Sequence, residues 1–255
     1  MAILKDGLQF TGSVGHLTAY TMKGTDKIVV RRKSGPSKEK IKKAPNFAKT
    51  RENNVEFGLC AQIASGIRAA LWPLKHMAGY NFTPTLIAMA KHVQQLDTTS
   101  ERGKRKVLFS QHRHLLEGFN LNKINQFNSV LRHPLACSID RTGVAATVNI
   151  PQLVPGMNIF LPWQQPVYRI VAAFGFMCDD DATAEGHAVS AATDWHPSHQ
   201  PFERTTLSLD YARKGRFGSD MTMILSIGIE MGTPISDHFV QPFKNHAAAK
   251  ILATG

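Results

Sequence analysis

The spacing of hydrophobic and polar positions differs between the first and the second half of the chain. In residues 46–71 apolar residues recur every three to four positions, which predicts a long amphipathic helix whose apolar face includes Val55, Leu59 and Ile63. Thr83 followed by Pro84 indicates a helix N-cap and first turn, and this second helix continues to about residue 96. Residues 107–117 suit a short helix. We therefore expect the helices to precede residue 121.

The second half carries short apolar runs separated by proline and glycine, which is the pattern of antiparallel strands. The runs are residues 135–140, 144–150, 157–161, 167–177, 205–211 and 221–230. Arg141-Thr142-Gly143 joins the first two and is typical of a hairpin turn. Several short strands with turn residues between them predict an antiparallel β-sandwich.

The first 33 residues predict a β-hairpin arm. A turn-like Lys23-Gly24-Thr25-Asp26 separates an apolar stretch from a β-branched one, and residues 34–45 predict a linker because they contain Gly35-Pro36 and a lysine run. A two-stranded ribbon is marginal in water, so the arm must pack on its own sandwich or on a neighbouring copy. The residues expected to make that contact are Gly12, Val14, Gly15, Tyr20, Ile28 and Val30.

Together these patterns predict an α+β protein in which an N-terminal β-hairpin arm and helices are followed by an antiparallel β-sandwich. We expect three parts: a basic hairpin arm and linker in residues 1–45, a helical region in residues 46–120, and the β-sandwich in residues 121–255. The sequence contains no internal repeat of 20–50 residues.

Several motifs resemble a family of bacterial proteins of unassigned function. The opening hairpin of that family reads G-x-V-G-x-x-x-x-Y, then G-x-x-x-x-x-V-R, which matches Gly12 to Tyr20 and Gly24 to Arg31 here. Further similar stretches include Pro73-Leu74-Lys75 and Phe160-Leu161-Pro162-Trp163, so the likeness spans roughly residues 8–170. The resemblance implies an N-terminal hairpin and helix joined to a β-rich part in a cytosolic protein, and it assigns no catalytic residue.

The net charge of +11 is unevenly distributed. Residues 1–120 carry 20 Lys and Arg against 8 Asp and Glu, whereas residues 121–255 carry 10 against 11. Such asymmetry indicates contact with nucleic acid, an anionic membrane or an acidic patch of another copy, and the alternative is a solvated charge run. The cations expected to meet nucleic acid are Lys38, Lys40, Lys42, Lys43, Arg102, Lys104, Arg105 and Lys106.

Catalytic and cofactor motifs are absent from the sequence. No G-x-S-x-G, H-E-x-x-H or Walker sequence occurs, and the three cysteines have no C-x-x-C spacing. We therefore expect no enzymatic activity and no cofactor. One stretch suggests metal chemistry, because Asp194, His196 and His199 place three candidate ligands within six residues. A long polar surface loop over residues 178–202 is the alternative.

No apolar run approaches the roughly 18–20 residues of a membrane span, and residues 1–7 do not read as a signal peptide. We expect a cytoplasmic protein. The leading functional hypothesis is a structural protein that assembles with copies of itself through the arm, as a closed oligomer or a filament. The alternative hypothesis is an electrostatic nucleic-acid-binding protein.

Overall fold

The computed structural model describes residues 2–3, 10–33, 35–179, 188–211, 218–236 and 239–255. It divides the chain into two compact units, Met1–Arg51 and Glu52–Gly255, which we call the N-terminal unit and the layered unit. Helices and antiparallel sheets are both present, so the predicted α+β class is confirmed. No helix in the described part of the chain is long and apolar enough to cross a membrane.

The N-terminal unit is built on a four-stranded sheet rather than a two-stranded ribbon. Its strands are β1 (Ala2–Ile3), β2 (Gly12–Val14), β3 (Leu17–Thr21) and β4 (Ile28–Arg32). They lie in the order β1-β4-β3-β2, and every described pairing is antiparallel. The predicted hairpin corresponds to β3 and β4, whose turn is closed by a hydrogen bond from the Met22 N–H to the Lys27 carbonyl. The prediction missed the second hairpin, which joins β2 to β3.

The predicted linker contains a helix, α1 (Lys38–Lys43). Its N-cap is Ser37, whose hydroxyl accepts a hydrogen bond from the Lys40 N–H at 3.2 Å. Three lysines lie in the last turn, where the negative end of the helix dipole favours positive charge. The linker prediction is wrong for these residues, because the structure-breaking Gly35-Pro36 is followed directly by the Ser37 cap of a helix.

The helices of the layered unit begin with α2 (Ala48–Ala70), which starts in the N-terminal unit and confirms the long predicted helix. A 3₁₀ helix, Trp72–Met77, follows at Pro73, and then come α3 (Thr83–Gln95), a 3₁₀ helix at Arg113–Leu116 and the short α4 (Phe127–Val130). Thr83 lies inside α3 rather than capping it, and the side chain of Asn81 accepts its N–H. The predicted helix over residues 107–117 is limited to one 3₁₀ turn.

Eight strands follow in the described part of the layered unit. They are β5 (Ala136–Asp140), β6 (Ala145–Ile150), β7 (Val167–Cys178), β8 (Val189–Ala192), β9 (His196–Pro197), β10 (Thr205–Asp210), β11 (Met221–Ser236) and β12 (Phe239–Thr254). One sheet has the order β10-β6-β5, and the other has the order β12-β11-β7-β8 with β9 also paired to β7. The predicted strand at residues 157–161 is wrong, because Gly156 with a φ of 78° and the bonds of Asn158 form a turn there.

The two sheets and the helices form three layers with the five-stranded sheet in the middle. Even-numbered residues of β7 such as Ile170 and Phe174 pack against the three-stranded sheet, which confirms the predicted sandwich. Odd-numbered residues of β7 such as Val171 and Ala173 pack against α2 and α3. Gly175 lets α2 approach closely, because a Cβ atom there would lie 2.8 Å from the Cα of Ala70.

Candidate interaction surfaces

Strand β2 lies at the edge of the N-terminal sheet in the part of that sheet that the structure describes, and all three of its residues are exposed. Gly15, with a φ of 55°, occupies the first position of its two-residue turn to β3, where a positive φ matches the twist of a hairpin. Val14 and Leu17 flank this turn as directly paired residues. In such a hairpin the flanking pair is hydrogen-bonded, so the N–H and C=O of the next residue, Ser13, point away from β3. The outer edge of β2 therefore offers hydrogen-bonding groups for another strand.

The side chains around this edge are apolar and exposed. Val14 is 62% exposed, and Leu17 lies on the same face because the two residues pair across the ladder. Leu17 was missing from the predicted contact set, although its alternation with Ala19 could have indicated it. Gly12 shares that face, whereas Tyr20 lies on the other face below the guanidinium of Arg31.

The predicted contact residues on β4 are less available. Ile28 is half-buried, and Val30 is only 8% exposed. The backbone of Val30 is also paired on both sides, since its Cα partners are Ala19 on β3 and Ala2 on β1. The candidate contact surface is therefore β2 with its turn and the start of β3, and Val30 is removed from it.

The four predicted lysines of the linker, Lys38, Lys40, Lys42 and Lys43, all lie on α1 and are exposed. None of them forms an ion pair within the part of the chain that the structure describes. Residues 1–51 contain twelve Lys and Arg against three Asp and Glu, a net charge of +9, and residues 52–255 contain eighteen against sixteen, a net charge of +2. The positive charge is thus concentrated in the N-terminal unit.

The second predicted cationic cluster, residues 102–106, lies in the layered unit and is largely partnered. Arg102 donates to the side chain of Asn53 at 2.9 Å and lies 3.7 Å from a carboxylate oxygen of Glu52. The ammonium of Lys104 lies 2.9 Å from Glu101. These carboxylates offset the charge that a phosphate would otherwise meet, so this cluster is a weaker polyanion site than α1.

The buried side chain of Glu56 holds the loop of residues 102–106 in place. Its buried carboxylate accepts hydrogen bonds from Lys91 at 2.7 Å and from the Gly103 N–H at 2.8 Å. The hydrogen bond from Lys91, followed by that from Gly103, lowers the pKa of Glu56. The amide of Gln94 completes the network by donating to the backbone carbonyls of Glu56 and Arg105. Arg105 is therefore part of a structural network.

The candidate metal ligands Asp194, His196 and His199 are not brought together. The ring of His196 packs edge-on against Tyr168 at 5.7 Å and Phe202 at 5.3 Å, while Asp194 and His199 are exposed. Within the described ranges, no group of three or more His, Cys, Asp or Glu side chains could hold a metal ion. The predicted polar loop contains β8 and β9, and its residues 180–187 lie outside the described residues.

Among the described residues of the layered unit, the carboxylate of Glu230 on β11 is the most deeply buried. It accepts hydrogen bonds from the His76 ring at 2.7 Å and from Arg169 at 2.6 Å, and Arg169 in turn covers the ring of Trp195. Burial alone would raise the pKa of Glu230, but the hydrogen bonds from His76 and Arg169 outweigh it and the pKa is lowered. The side chain is 1% exposed, and this carboxylate ties the 3₁₀ helix Trp72–Met77 to the sheet.

Comparisons with known proteins add no assignment. No family model, curated protein or solved structure matches the chain. The resemblance to the bacterial family with the N-terminal hairpin motif stays a prediction.

Proposed function

We propose that the chain is a non-enzymatic structural protein of the cytoplasm that self-assembles into an oligomer or filament through its N-terminal unit. The observation that carries the proposal is the outer edge of β2, which is exposed in all three residues and flanked by the apolar side chains of Val14 and Leu17. An exposed edge of this kind pairs readily with a strand of another chain.

The sparse interior of the N-terminal unit supports the same proposal. Three hydrophobic side chains are buried among its described residues, and they are small: Ala19, Val29 and Val30. Four apolar side chains are exposed in the same described part, and all but the first are larger than valine: Val14, Leu17, Tyr20 and Met22. A small sheet with several exposed apolar side chains gains stability by burying them against a neighbour.

Two further observations support the non-enzymatic and cytoplasmic parts of the proposal. The two carboxylates that are buried in the described part of the chain, those of Glu56 and Glu230, form ion pairs with cationic side chains and therefore serve packing. The three cysteines form no disulfide bond, which is typical of proteins that remain in a reducing compartment.

The test is a proline placed on the outer edge of β2. Ser13→Pro removes the outward-pointing N–H while leaving the β2–β3 hydrogen bonds of Val14 in place, so we expect it to block strand addition. Ser13→Ala is the matched control because it retains the N–H. We expect large species for the wild type and the control, and a smaller species for Ser13→Pro, by analytical ultracentrifugation and negative-stain imaging.

A second variant guards against local unfolding by proline. Val14→Lys places a charge on the apolar face of the edge and should also dissociate the assembly. The proposal fails if wild-type protein is monomeric at every concentration tested, or if Ser13→Pro and Val14→Lys both form assemblies indistinguishable from those of the wild type.

A second candidate function, polyanion binding, is favoured by the net charge of +9 in the N-terminal unit and by the four exposed lysines of α1. If these lysines neutralise phosphates, the affinity for mixed-sequence nucleic acid should fall steeply with salt. Replacing Lys38, Lys40, Lys42 and Lys43 by Gln should flatten that salt dependence. An affinity that is insensitive to salt in the wild type would contradict this function.

A further inference from the structure

An unusual bulge interrupts the pairing of β11 with β12 in the layered unit. Glu230 pairs with Ala247 and Gly232 pairs with Pro242, so a single residue of β11 stands opposite four residues of β12. Within the bulge Asn245 has a φ of 75°, a conformation that few residues other than glycine adopt. Bulges of this kind re-aim side chains and are frequent beside functional sites.

The bulge places two ring side chains three positions apart on one side of the strand. The rings of Phe243 and His246 stack with centroids 5.3 Å apart and planes 17° apart. The ring of Trp163 continues the stack on His246, at 6.1 Å and 16°. Gln165 orients the imidazole, because its amide nitrogen lies 3.5 Å from Nδ1 of His246 and its oxygen accepts from Thr233. Three parallel rings thus form a short aromatic column.

Trp163, the ring at one end of the column, also lines a cleft of about 620 Å³. That volume lies within the range of pockets for small molecules, about 300–1,000 Å³. Polar side chains of Asn125, Ser129 and Ser198 also line it. Arg132 is the one charged side chain among the described residues that line the cleft.

Arg132 is held in the cleft by an aromatic ring. Its guanidinium lies 3.7 Å from the ring centroid of Phe160. The backbone fixes this pair, because Leu131 and Ile159 form an antiparallel bridge and the Arg132 N–H donates to the Asn158 carbonyl at 3.0 Å. No carboxylate within the described residues pairs with Arg132, so its N–H donors are available to an anion.

We propose that this cleft binds a nucleotide, with the base extending the aromatic column at Trp163 and the phosphate held by Arg132. Stacking on an aromatic side chain accepts any base, and a guanidinium fork matches the geometry of a phosphate. The nucleotide can be free or can belong to a single strand, since both present the same chemistry. The site is independent of assembly through β2.

The charge of the cleft favours a nucleotide over a neutral sugar. Both ligands stack on tryptophan, but the cleft presents an uncompensated cation and its described lining holds no carboxylate. A neutral sugar would leave Arg132 without a charged partner. A phosphate uses that cation directly.

The test compares two probes on the full chain carrying Gln at Lys38, Lys40, Lys42 and Lys43, so that α1 does not contribute. Fluorescence anisotropy measures binding of a labelled twelve-residue oligothymidylate, and calorimetry measures binding of AMP. Arg132→Gln and Trp163→Leu should each weaken binding about tenfold. Phe243→Leu, at the exposed end of the column, should weaken it less. Thermal denaturation checks that each variant is folded.

Matched controls distinguish binding in the cleft from nonspecific binding to other cations and aromatic rings of the protein. Arg204→Gln removes an exposed cation of the same unit, and Trp72→Leu removes an exposed indole outside the cleft, so both should leave the affinity within about twofold. Ser13→Pro should also leave the affinity unchanged, which distinguishes this site from the assembly surface. Binding of AMP identifies a site for free nucleotides, and binding of the oligonucleotide alone identifies a strand site.

Three results would overturn the proposal. The first is that neither probe binds at millimolar concentration. The second is that Arg204→Gln weakens binding as much as Arg132→Gln does. The third is that maltohexaose, a neutral oligosaccharide, binds with an affinity that depends on Trp163 and not on Arg132.

Discussion

The N-terminal unit and the layered unit bury their apolar residues to very different extents. The first is a four-stranded sheet with three small buried hydrophobic side chains among its described residues. The second has two continuous cores, one on each face of its central sheet. Strands β7 and β11 are therefore buried on both faces along most of their length. A sheet covered on both faces is stable by itself, and a sheet with little interior needs a partner.

Charge divides the two units in the same way. The N-terminal unit carries +9 in 51 residues, whereas the layered unit carries +2 in 204. Within the described part of the layered unit, cations such as Arg102 and Arg169 lie beside carboxylates. Like charges on neighbouring copies repel, so assembly through a basic unit should be helped by salt or by a bound polyanion.

The largest difference between the two units is expected when one apolar side chain is truncated in each of them. Phe174→Ala removes a fully buried ring from the sandwich core and should lower the free energy of unfolding by about 3–5 kcal/mol. Val14→Ala removes exposed atoms and should change it by less than about 0.5 kcal/mol in dissociated protein. Tryptophan fluorescence during urea denaturation measures the first effect, because all three tryptophans lie in the layered unit. Hydrogen exchange of the backbone amides in β3 and β4 measures the second effect. A loss for Val14→Ala comparable to that for Phe174→Ala would break the comparison.

A smaller effect is expected from the buried ion cluster. Glu230→Gln removes the charge that Arg169 and His76 share, and both partners are partly exposed to water, so we expect a loss of about 1–3 kcal/mol. The exposed Glu203→Gln is the control and should have no measurable effect.

The same substitution should change the pH dependence of stability. Because the pKa of Glu230 is lowered by folding, its ionised form stabilises the protein above the pKa of the unfolded state. That contribution is lost as the pH falls through the lower, folded-state pKa. The stability difference between wild type and Glu230→Gln should therefore shrink in acid, as measured by urea denaturation from pH 7 to pH 3. A difference that grows in acid would contradict this role.

The spacing of apolar residues and the turn motifs correctly predicted several helices and hairpins. The helix α2 and the hairpins β3–β4 and β5–β6 were found where the sequence indicated them. The prediction of the apolar face of α2 was only partly right, since Ile63 is buried but Val55 and Leu59 are exposed. Glu56 lies buried in their place because Lys91 and Gly103 satisfy its carboxylate. That compensation depends on contacts distant in sequence.

Strand β12 could not be predicted because its sequence is unlike that of a typical strand. It contains a proline, a polar stretch and three consecutive alanines, which have low strand propensity. Ala247 and Ala249 are buried there because small side chains suit the tight packing against the helical layer. The aromatic column could not be predicted either, because it depends on the four-residue bulge in β12 and not on spacing along the chain.

The candidate site residues were predicted with uneven success because sequence proximity is a poor guide to shared geometry. Asp194, His196 and His199 lie within six residues of sequence, yet β9 directs the ring of His196 towards Tyr168 and Phe202. The lysines of α1 are exposed as a charge run would suggest, but the helix that carries them was missed. Ser37 was the available signal, because serine before a helical stretch is a preferred N-cap.

The smallest expected effect concerns this cap. Ser37→Ala removes the acceptor of the Lys40 N–H and should destabilise α1 by about 0.5–1 kcal/mol. Hydrogen exchange of the backbone amides in residues 38–44 should accelerate about two- to fivefold, while the fluorescence-detected unfolding of the layered unit stays unchanged. Ser37→Asp is the control, because aspartate keeps the cap and adds a charge that the helix dipole favours. If exchange in Ser37→Ala matched that of the wild type, α1 would be held by contacts other than its cap, and the N-terminal unit would be more self-sufficient than its sparse interior suggests.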